Sequence, residues 1–386
     1  MDKNKVSKFS KKGDIILARY GASLGKVFWA EDGAYNVALA KVCKNYELDN
    51  IILDEFLFAY YLSSIYQLFV KSASRSAQAG FNKDDLNSLF FPLPPYNEQK
   101  RIVEKIEYFT PYVKKYNNIY NKLEILNYNY KDDLKKSILQ DAIQGKLVKQ
   151  DSNDEPAEVL INKILEEKRK LIKTKQIKKE NFSVIYKDST DNQFYEKFDD
   201  GKIVNITDEI SFDIPDTWQW TRLRNIGTII GGGTPKTDIK INWENATIPW
   251  LTPADMKNIK GIYAERGDRN ISEIGLNNSS ARLMPAGTIL YSSRAPIGYI
   301  AIAKNPISTN QGFKSVVLIK NEMNLFLYYE LIQRTPEIIS RASGTTFKEI
   351  SGSEFGETIV TIPPLCEQHK IVNKLKKIFN YIETAE

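Results

Sequence analysis

The hexapeptide Pro94-Pro95-Tyr96-Asn97-Glu98-Gln99 returns as Pro363-Pro364-Leu365-Cys366-Glu367-Gln368, 269 positions later. Downstream, Ile102, Val103, Ile106, Phe109 and Val113 meet Ile371, Val372, Leu375, Ile378 and Ile382 at the same offset. Upstream, Gly13-Asp14-Ile15-Ile16-Leu17-Ala18-Arg19 resembles Gly287-Thr288-Ile289-Leu290-Tyr291-Ser292-Ser293 at an offset of 274, where Asn36 and Val42 also meet Asn310 and Val316. One short match is chance; a series in the same order is a duplicated unit.

Both copies carry the same element signals. Short apolar runs at 14–18 and 288–292 predict a strand, followed by a small-residue turn and a second strand at 26–30 or 299–303. A third strand is expected at 39–43 or 314–319, then a helix at 53–71 or 322–339. A Ser/Gly-rich loop, 72–82 or 340–348, leads to the Pro-Pro stop. The second copy has further strand and turn signals ahead of this core. They run from Trp218-Gln219-Trp220 through Gly231-Gly232-Gly233-Thr234-Pro235-Lys236-Thr237 to the Ile248–Pro253 stretch.

Past the first Pro-Pro pair, apolar or aromatic residues fall at 102, 106, 109, 113, 116, 120 and 123, and the stripe resumes at Tyr130, Leu134 and Ile138. Alternating spacings of four and three mark a heptad seam, the signature of a long helix laid along a partner helix. Pro111 lies inside it and predicts a kink or local break. The second copy starts the same seam at Ile371, so the two helices are expected to form an antiparallel pair. Between the copies, 151–201 is polar, with a helix start at Pro156. Seven Lys/Arg and no acid follow between Lys168 and Lys179, which suits a solvated helix end as well as a phosphate-facing or partner-facing surface.

Composition narrows the function classes. The 386 residues suit two or three domains, and 42% hydrophobic residues suffice for real cores. A formal charge of +6 permits a nucleic-acid partner without requiring one. Two unpaired cysteines, Cys43 and Cys366, and the lack of a leader or membrane-length apolar run lead us to expect a reduced cytoplasmic setting.

Catalytic motifs fail one at a time. Gly21-Ala22-Ser23-Leu24-Gly25-Lys26-Val27 has three residues between its glycines where a phosphate loop has four, and Val27 stands where the hydroxyl should be. Leu93 precedes Pro94-Pro95-Tyr96 where an amino-methyltransferase loop needs a polar residue, and its mate is Ile362. Gly231-Gly232-Gly233 lacks dinucleotide spacing. His369 is the single histidine, which rules out a His-based triad supported by a second base and a zinc cluster. Asp216 and Glu244 are expected as ordinary surface carboxylates.

Two globular copies, each ending in Pro-Pro-(Tyr/Leu)-x-Glu-Gln and running into a heptad helix, resemble the specificity subunits of type I restriction–modification systems. The stretches 134–147, Asp154-Glu155-Pro156-Ala157 and Ile214-Pro215-Asp216-Thr217-Trp218-Gln219-Trp220 are similar to that family's spacer end, inter-domain stretch and domain opening. The resemblance implies an α+β fold, with two mixed strand/helix target-recognition domains separated by long antiparallel coiled-coil spacer helices. On this basis 1–96 is a partial first recognition domain, 97–148 the first spacer helix and 149–205 a charged helical linker. The second, complete recognition domain is 206–365, and 366–386 starts the second spacer helix. Carrying the second unit's opening back by the repeat offset puts it before Met1, so the first unit is expected to be shortened, with exposed strand edges, and to be weakly stable or paired in trans.

The resemblance implies a non-catalytic chain that reads the halves of a bipartite site in double-stranded DNA. Two modification (methyltransferase) subunits and a restriction/translocase subunit would join it and carry the adenine methylation and cleavage. No cofactor is expected in this chain; S-adenosylmethionine, ATP and Mg belong to those partners. No membrane partner is expected. A silent specificity cassette, or a coiled-coil assembly fragment with little DNA binding, is the alternative. Base reading needs donors and acceptors on turns. The candidates are Thr234, Lys236 and Thr237; Ser292, Ser293 and Arg294; Asn310 and Gln311; and Thr345 and Thr346. Ser, Thr and Asn also fill turns for conformational reasons, and for Asn310 that reading is favoured because Asn36 repeats it.

Overall fold

The computed structural model describes residues 8–73, 80–344 and 348–384. The chain divides into two compact units, Met1–Leu126 and Asn127–Glu386, and is α+β throughout.

In the first unit the strand Ile15–Ala18 lies between Val27–Trp29 and Leu39–Lys41, both antiparallel to it. All four residues of the central strand are buried, and Ile15 and Leu17 join Leu57, Tyr60, Tyr66, Val70 and Phe81 in one core. The helix expected over 53–71 is two helices, Asp54–Leu62 and Ser64–Ala73. Ser63 takes an extended conformation, and its N–H turns back to the carbonyl of Tyr60. The break lets Tyr61 and Tyr66 meet edge to face, with ring centres 5.0 Å apart. Burial pushes the Tyr61 hydroxyl up to about 12.

The second unit is built on a five-stranded sheet in the order Gly227–Gly231, Lys314–Leu318, Ile289–Ser293, Ile297–Ala303, Tyr263–Ala264. The helix Asn324–Ser340 contributes Leu327, Leu331 and Ile338 to its main core. A second sheet sets Ile248–Leu251 between Arg269–Ile271 and Ser308–Thr309. Gln219–Arg222 pairs with Ile359–Ile362 just before the second Pro-Pro stop.

The repeat is visible bond by bond. Gly13 and Gly287 both take positive φ, +91° and +87°. Their N–H groups donate to Ala30 at 3.0 Å and to Ala303 at 2.8 Å. A side chain would be strained at either glycine. Asn36 Oδ1 accepts from the N–H of Ala38, and Asn310 Oδ1 from that of Gly312, so the repeated asparagine closes the same turn twice.

The stretch 149–205 is more than the charged helical linker expected. Its helix Ala157–Lys173 places Leu160, Ile161, Ile164 and Leu165 in the main core of the second unit. A three-stranded antiparallel meander, Ser183–Lys187, Phe194–Phe198 and Ile203–Asn205, follows it. Lys168, the first of the seven basic residues, is fully buried. Its ammonium donates to Glu180, to the carbonyl of Arg224 and, at 2.9 Å, to that of Gly227. Burial holds it below the usual lysine range. Neither a solvated end nor a phosphate surface describes that residue.

The first long helix, Tyr96–Ile143, runs through Pro111 without interruption. The carbonyl of Glu107, which loses its partner there, belongs to an exposed residue and can be hydrated. Within the second unit its last turns pack against the second long helix, Leu365–Thr384: Leu139 and Ala142 meet Ile371, Val372 and Leu375. Lys135 pairs with Glu383, and Lys374 donates to the carbonyl of Leu147 at 2.6 Å. As the chain advances from Lys135 to Leu147, its contacts on the second helix move back from Glu383 to Lys374, so this pairing is antiparallel. Within the first unit Ile106, Phe109, Val113, Tyr116, Tyr120 and Leu123 of the seam are exposed. No helix among the described residues is long and apolar enough to cross a membrane.

Candidate nucleic-acid interface

Four segments of the second unit meet at one rim: the Gly-rich turn 231–237, the turn 310–312, the strand end at 292–294, and Ser343 with Glu349 and Ile350. The glycines make the first contact possible. A Cβ on Gly232 would overlap the carbonyl oxygen of Asn310, and one on Gly233 would overlap Ser280 and Ala281. Gly233 N–H donates to the carbonyl of Thr309 at 2.9 Å, and its own carbonyl accepts from Trp250 Nε1, also at 2.9 Å. The turn is held by backbone approach, which leaves the side chains after it free to point outward.

Thr234 donates from its hydroxyl to the Gln311 side chain, joining the two turns. Lys236 and Thr237 are exposed beside them. The Lys236 carbonyl accepts from Asn242 and from Trp243 Nε1, both at 3.1 Å, which anchors the backbone under the lysine. The strand end is tied in by Ser293 N–H to the carbonyl of Gly312 at 2.7 Å, and by Ile350 N–H to the carbonyl of Ser293 at 3.1 Å.

The sequence candidates separate on this geometry. Ser292 and Ser293, expected on a presenting turn, are buried. Ser292 donates to the carbonyl of Pro296 and accepts from Tyr299 N–H, both at 2.8 Å, so its hydroxyl serves the hairpin. Asn310 spends its oxygen on Gly312. Gln311 is exposed and Arg294 half-exposed. Arg294 lies 3.8 Å from Glu349, which also takes Lys314 at 3.1 Å. Sequence reading missed Glu349, and only its place opposite two basic residues in space marks it. Thr345 and Thr346 lie outside the described residues.

The second unit holds another polar cluster on the Gln219–Arg222 strand. Arg222 pairs with Glu196 and Glu209, both at 2.7 Å, and Arg224 with Glu196 at 2.8 Å and Glu357 at 2.7 Å. Burial alone would raise the Glu196 carboxyl, but the bonds from Arg222, Ser183 and Arg224 win and hold it below its ordinary value. This cluster locks the meander to the Gln219–Arg222 strand. Among the described residues no group of three or more His, Cys, Asp or Glu is placed to hold a metal ion. His369, Asp216 and Glu244 are each exposed, and both cysteines are free.

The arrangement presents hydroxyl, amide and cationic groups on a glycine-supported edge, the chemistry suited to base edges and phosphates. Residues 2–125 and 215–386 match the type I restriction modification DNA specificity domain. This chain belongs to that family. It is 43% identical over 175 residues to the MjaIX specificity subunit of Methanocaldococcus jannaschii, covering 45% of this chain and 40% of that one. It is 24% identical over 375 residues to the HindI specificity subunit of Haemophilus influenzae, covering 93% and 78%. A chain solved in work on complex assembly and conformational transition of the type I R-M system superposes with a TM-score of 0.51 at 20% identity, covering 97% of this chain and 76% of its own length. That likeness shows a shared fold. The specificity-domain match breaks between 125 and 215, where the helix Ala157–Lys173 and the meander lie.

Proposed function

We propose that this chain is the DNA-reading subunit of a type I restriction–modification complex. In it, 206–365 serves as a target-recognition domain and reads one half of a bipartite site in double-stranded DNA. Residues 1–96 form its counterpart in the first unit, 97–148 and 366–386 form the spacer, and 149–205 buttresses the second reader. The observation that carries this reading is the rim where Thr234 binds Gln311, with Lys236 and Thr237 exposed and Arg294 half-exposed around the pair. Lys236 suits a phosphate, and Arg294 suits a guanine edge if DNA competes for Glu349. The chain performs no chemistry; two modification subunits that use S-adenosylmethionine and a translocating nuclease subunit that uses ATP and Mg would act in the cytoplasm where it directs them.

The test is co-expression with the cognate modification subunit, followed by mapping of methylated adenines. A split motif is the expected result, asymmetric if both units read and symmetric if two copies join through the second unit. No new methylation, together with duplex affinity that does not change with salt, overturns the proposal and leaves a silent fragment.

A further inference from the structure

Six of the nine arginines in the second unit are held in ion pairs with Asp or Glu. The remaining three, Arg266, Arg269 and Arg282, are exposed and make no ion pair among the described residues. Of these three, Arg269 alone lies on an aromatic ring. Its Cζ sits 3.8 Å from the ring centre of Trp243. At that distance an end-on approach would push a guanidinium nitrogen inside contact range, so the two flat groups are stacked face to face.

The indole beneath is itself fixed. Trp243 Nε1 donates to the carbonyl of Lys236 at 3.1 Å, and the ring stands at 82° to that of buried Trp250, with centres 5.4 Å apart. Trp250 Nε1 in turn donates to the carbonyl of Gly233 at 2.9 Å. The two tryptophans therefore carry both ends of the stretch 233–236 and hold Arg269 to the same rim. The arginine's backbone is equally constrained. Arg269 pairs with Trp250 across the sheet, and the Asp268 N–H before it donates to the buried carboxylate of Asp255 at 3.2 Å. A Cβ on Gly267 would fall 2.5 Å from the Trp250 carbonyl oxygen, so that approach needs a glycine.

A stacked guanidinium spends its faces and keeps its five N–H donors, all in one plane. None of them bonds to another described residue. A phosphate accepts hydrogen bonds from many directions and gains little from a fixed plane; exposed Lys236 already supplies a cation of that kind. The edge of a base is flat, and a fork already held flat loses little freedom on meeting it.

We infer that Arg269 is a base-reading residue of the second unit, its fork held by Trp243 to meet O6 and N7 of one guanine in the major groove. The inference rests on the DNA-reading proposal and names one element of the sequence that is read.

The experiment uses the full chain in complex with the cognate modification subunit, and duplexes carrying the mapped motif with each base pair substituted in turn. Wild type should lose about tenfold or more in affinity when one particular G·C pair is changed. R269M keeps an aliphatic cover on the indole without the fork. It should treat all four base pairs alike at that position and discriminate as before at the others, which also shows that it folds. Deazaguanine, with carbon in place of N7, should weaken wild type at that pair and leave R269M unaffected. Unchanged affinity and motif in R269M overturn the inference, because the arginine then only shields the indole. Uniform weakening on all sequences, with the salt slope reduced by about 1, overturns it in favour of a phosphate contact. A wild-type complex with no motif at all defeats the DNA-reading proposal and this inference together, whereas a motif that R269M leaves intact defeats the inference alone.

Discussion

Gln99 and Gln368 make the same bond in both units: each Nε2 donates back to the first carbonyl of its Pro-Pro pair, at 2.8 Å from Pro94 and 2.9 Å from Pro363. Both side chains are buried, and both backbone N–H groups bond to the second proline's carbonyl. A proline carbonyl at the mouth of a helix is a buried acceptor with few donors in reach, and the glutamine supplies one. Replacing either by Ala should destabilise its own unit by about 1–3 kcal/mol. Hydrogen-exchange mass spectrometry, which resolves the units, should show the loss confined to one unit for each variant.

The Arg222–Glu196 pair makes the second unit acid-sensitive. The folded-state carboxyl of Glu196 titrates below its ordinary 4.5, so its contribution is full above pH 4.5 and is lost as pH falls through the lowered value. E196Q should remove this pH dependence and cost about 3–5 kcal/mol at neutral pH, since two arginines lose a buried partner. Thermal melts of both proteins between pH 3 and 7 check this. Parallel acid limbs would refute it.

DNA-binding variants should divide along the rim. K236A should weaken binding alike on all sequences and reduce the salt slope by about 1. R294A should cost about 1–3 kcal/mol and relax one target position. S292A should leave the discrimination between sequences intact and lower the melting temperature, because Tyr299 loses its acceptor. Titrations at three salt concentrations against the mapped site and a scrambled one separate the three.

K168M should destabilise the second unit by about 1–3 kcal/mol, since the carbonyls of Arg224 and Gly227 lose their buried donor. K175M, at an exposed site in the same basic run, should change stability within about 0.5 kcal/mol. Urea denaturation compares them directly.

The duplication, the central strands and the two long helices were legible because their signals are local: the 13/287 glycines, the Pro-Pro stops and a seam at heptad spacing. The first unit's helix break was half legible, since Ser63-Ser64 interrupts an apolar run but resembles any polar face. The linker was misread because Lys168 looks in sequence like its exposed neighbours; its burial is set by two carbonyls more than fifty residues away. At the rim, turn chemistry picked out Thr234, Lys236 and Gln311 as candidates, and their side chains are exposed. It failed at Ser292 and Ser293 because a strand end and a presenting loop share the same small polar residues. Asn310 was separable in advance only because Asn36 repeats it.

The placement of the helix Ala157–Lys173 constrains how such chains can be recombined. A chimera joined at residue 206 would bring in a foreign reader without the four aliphatic side chains that seal its floor, and without the ammonium that stitches its first turn. Exchange of the second half therefore tolerates a junction upstream of Pro156, where the transferred block carries its own foundation.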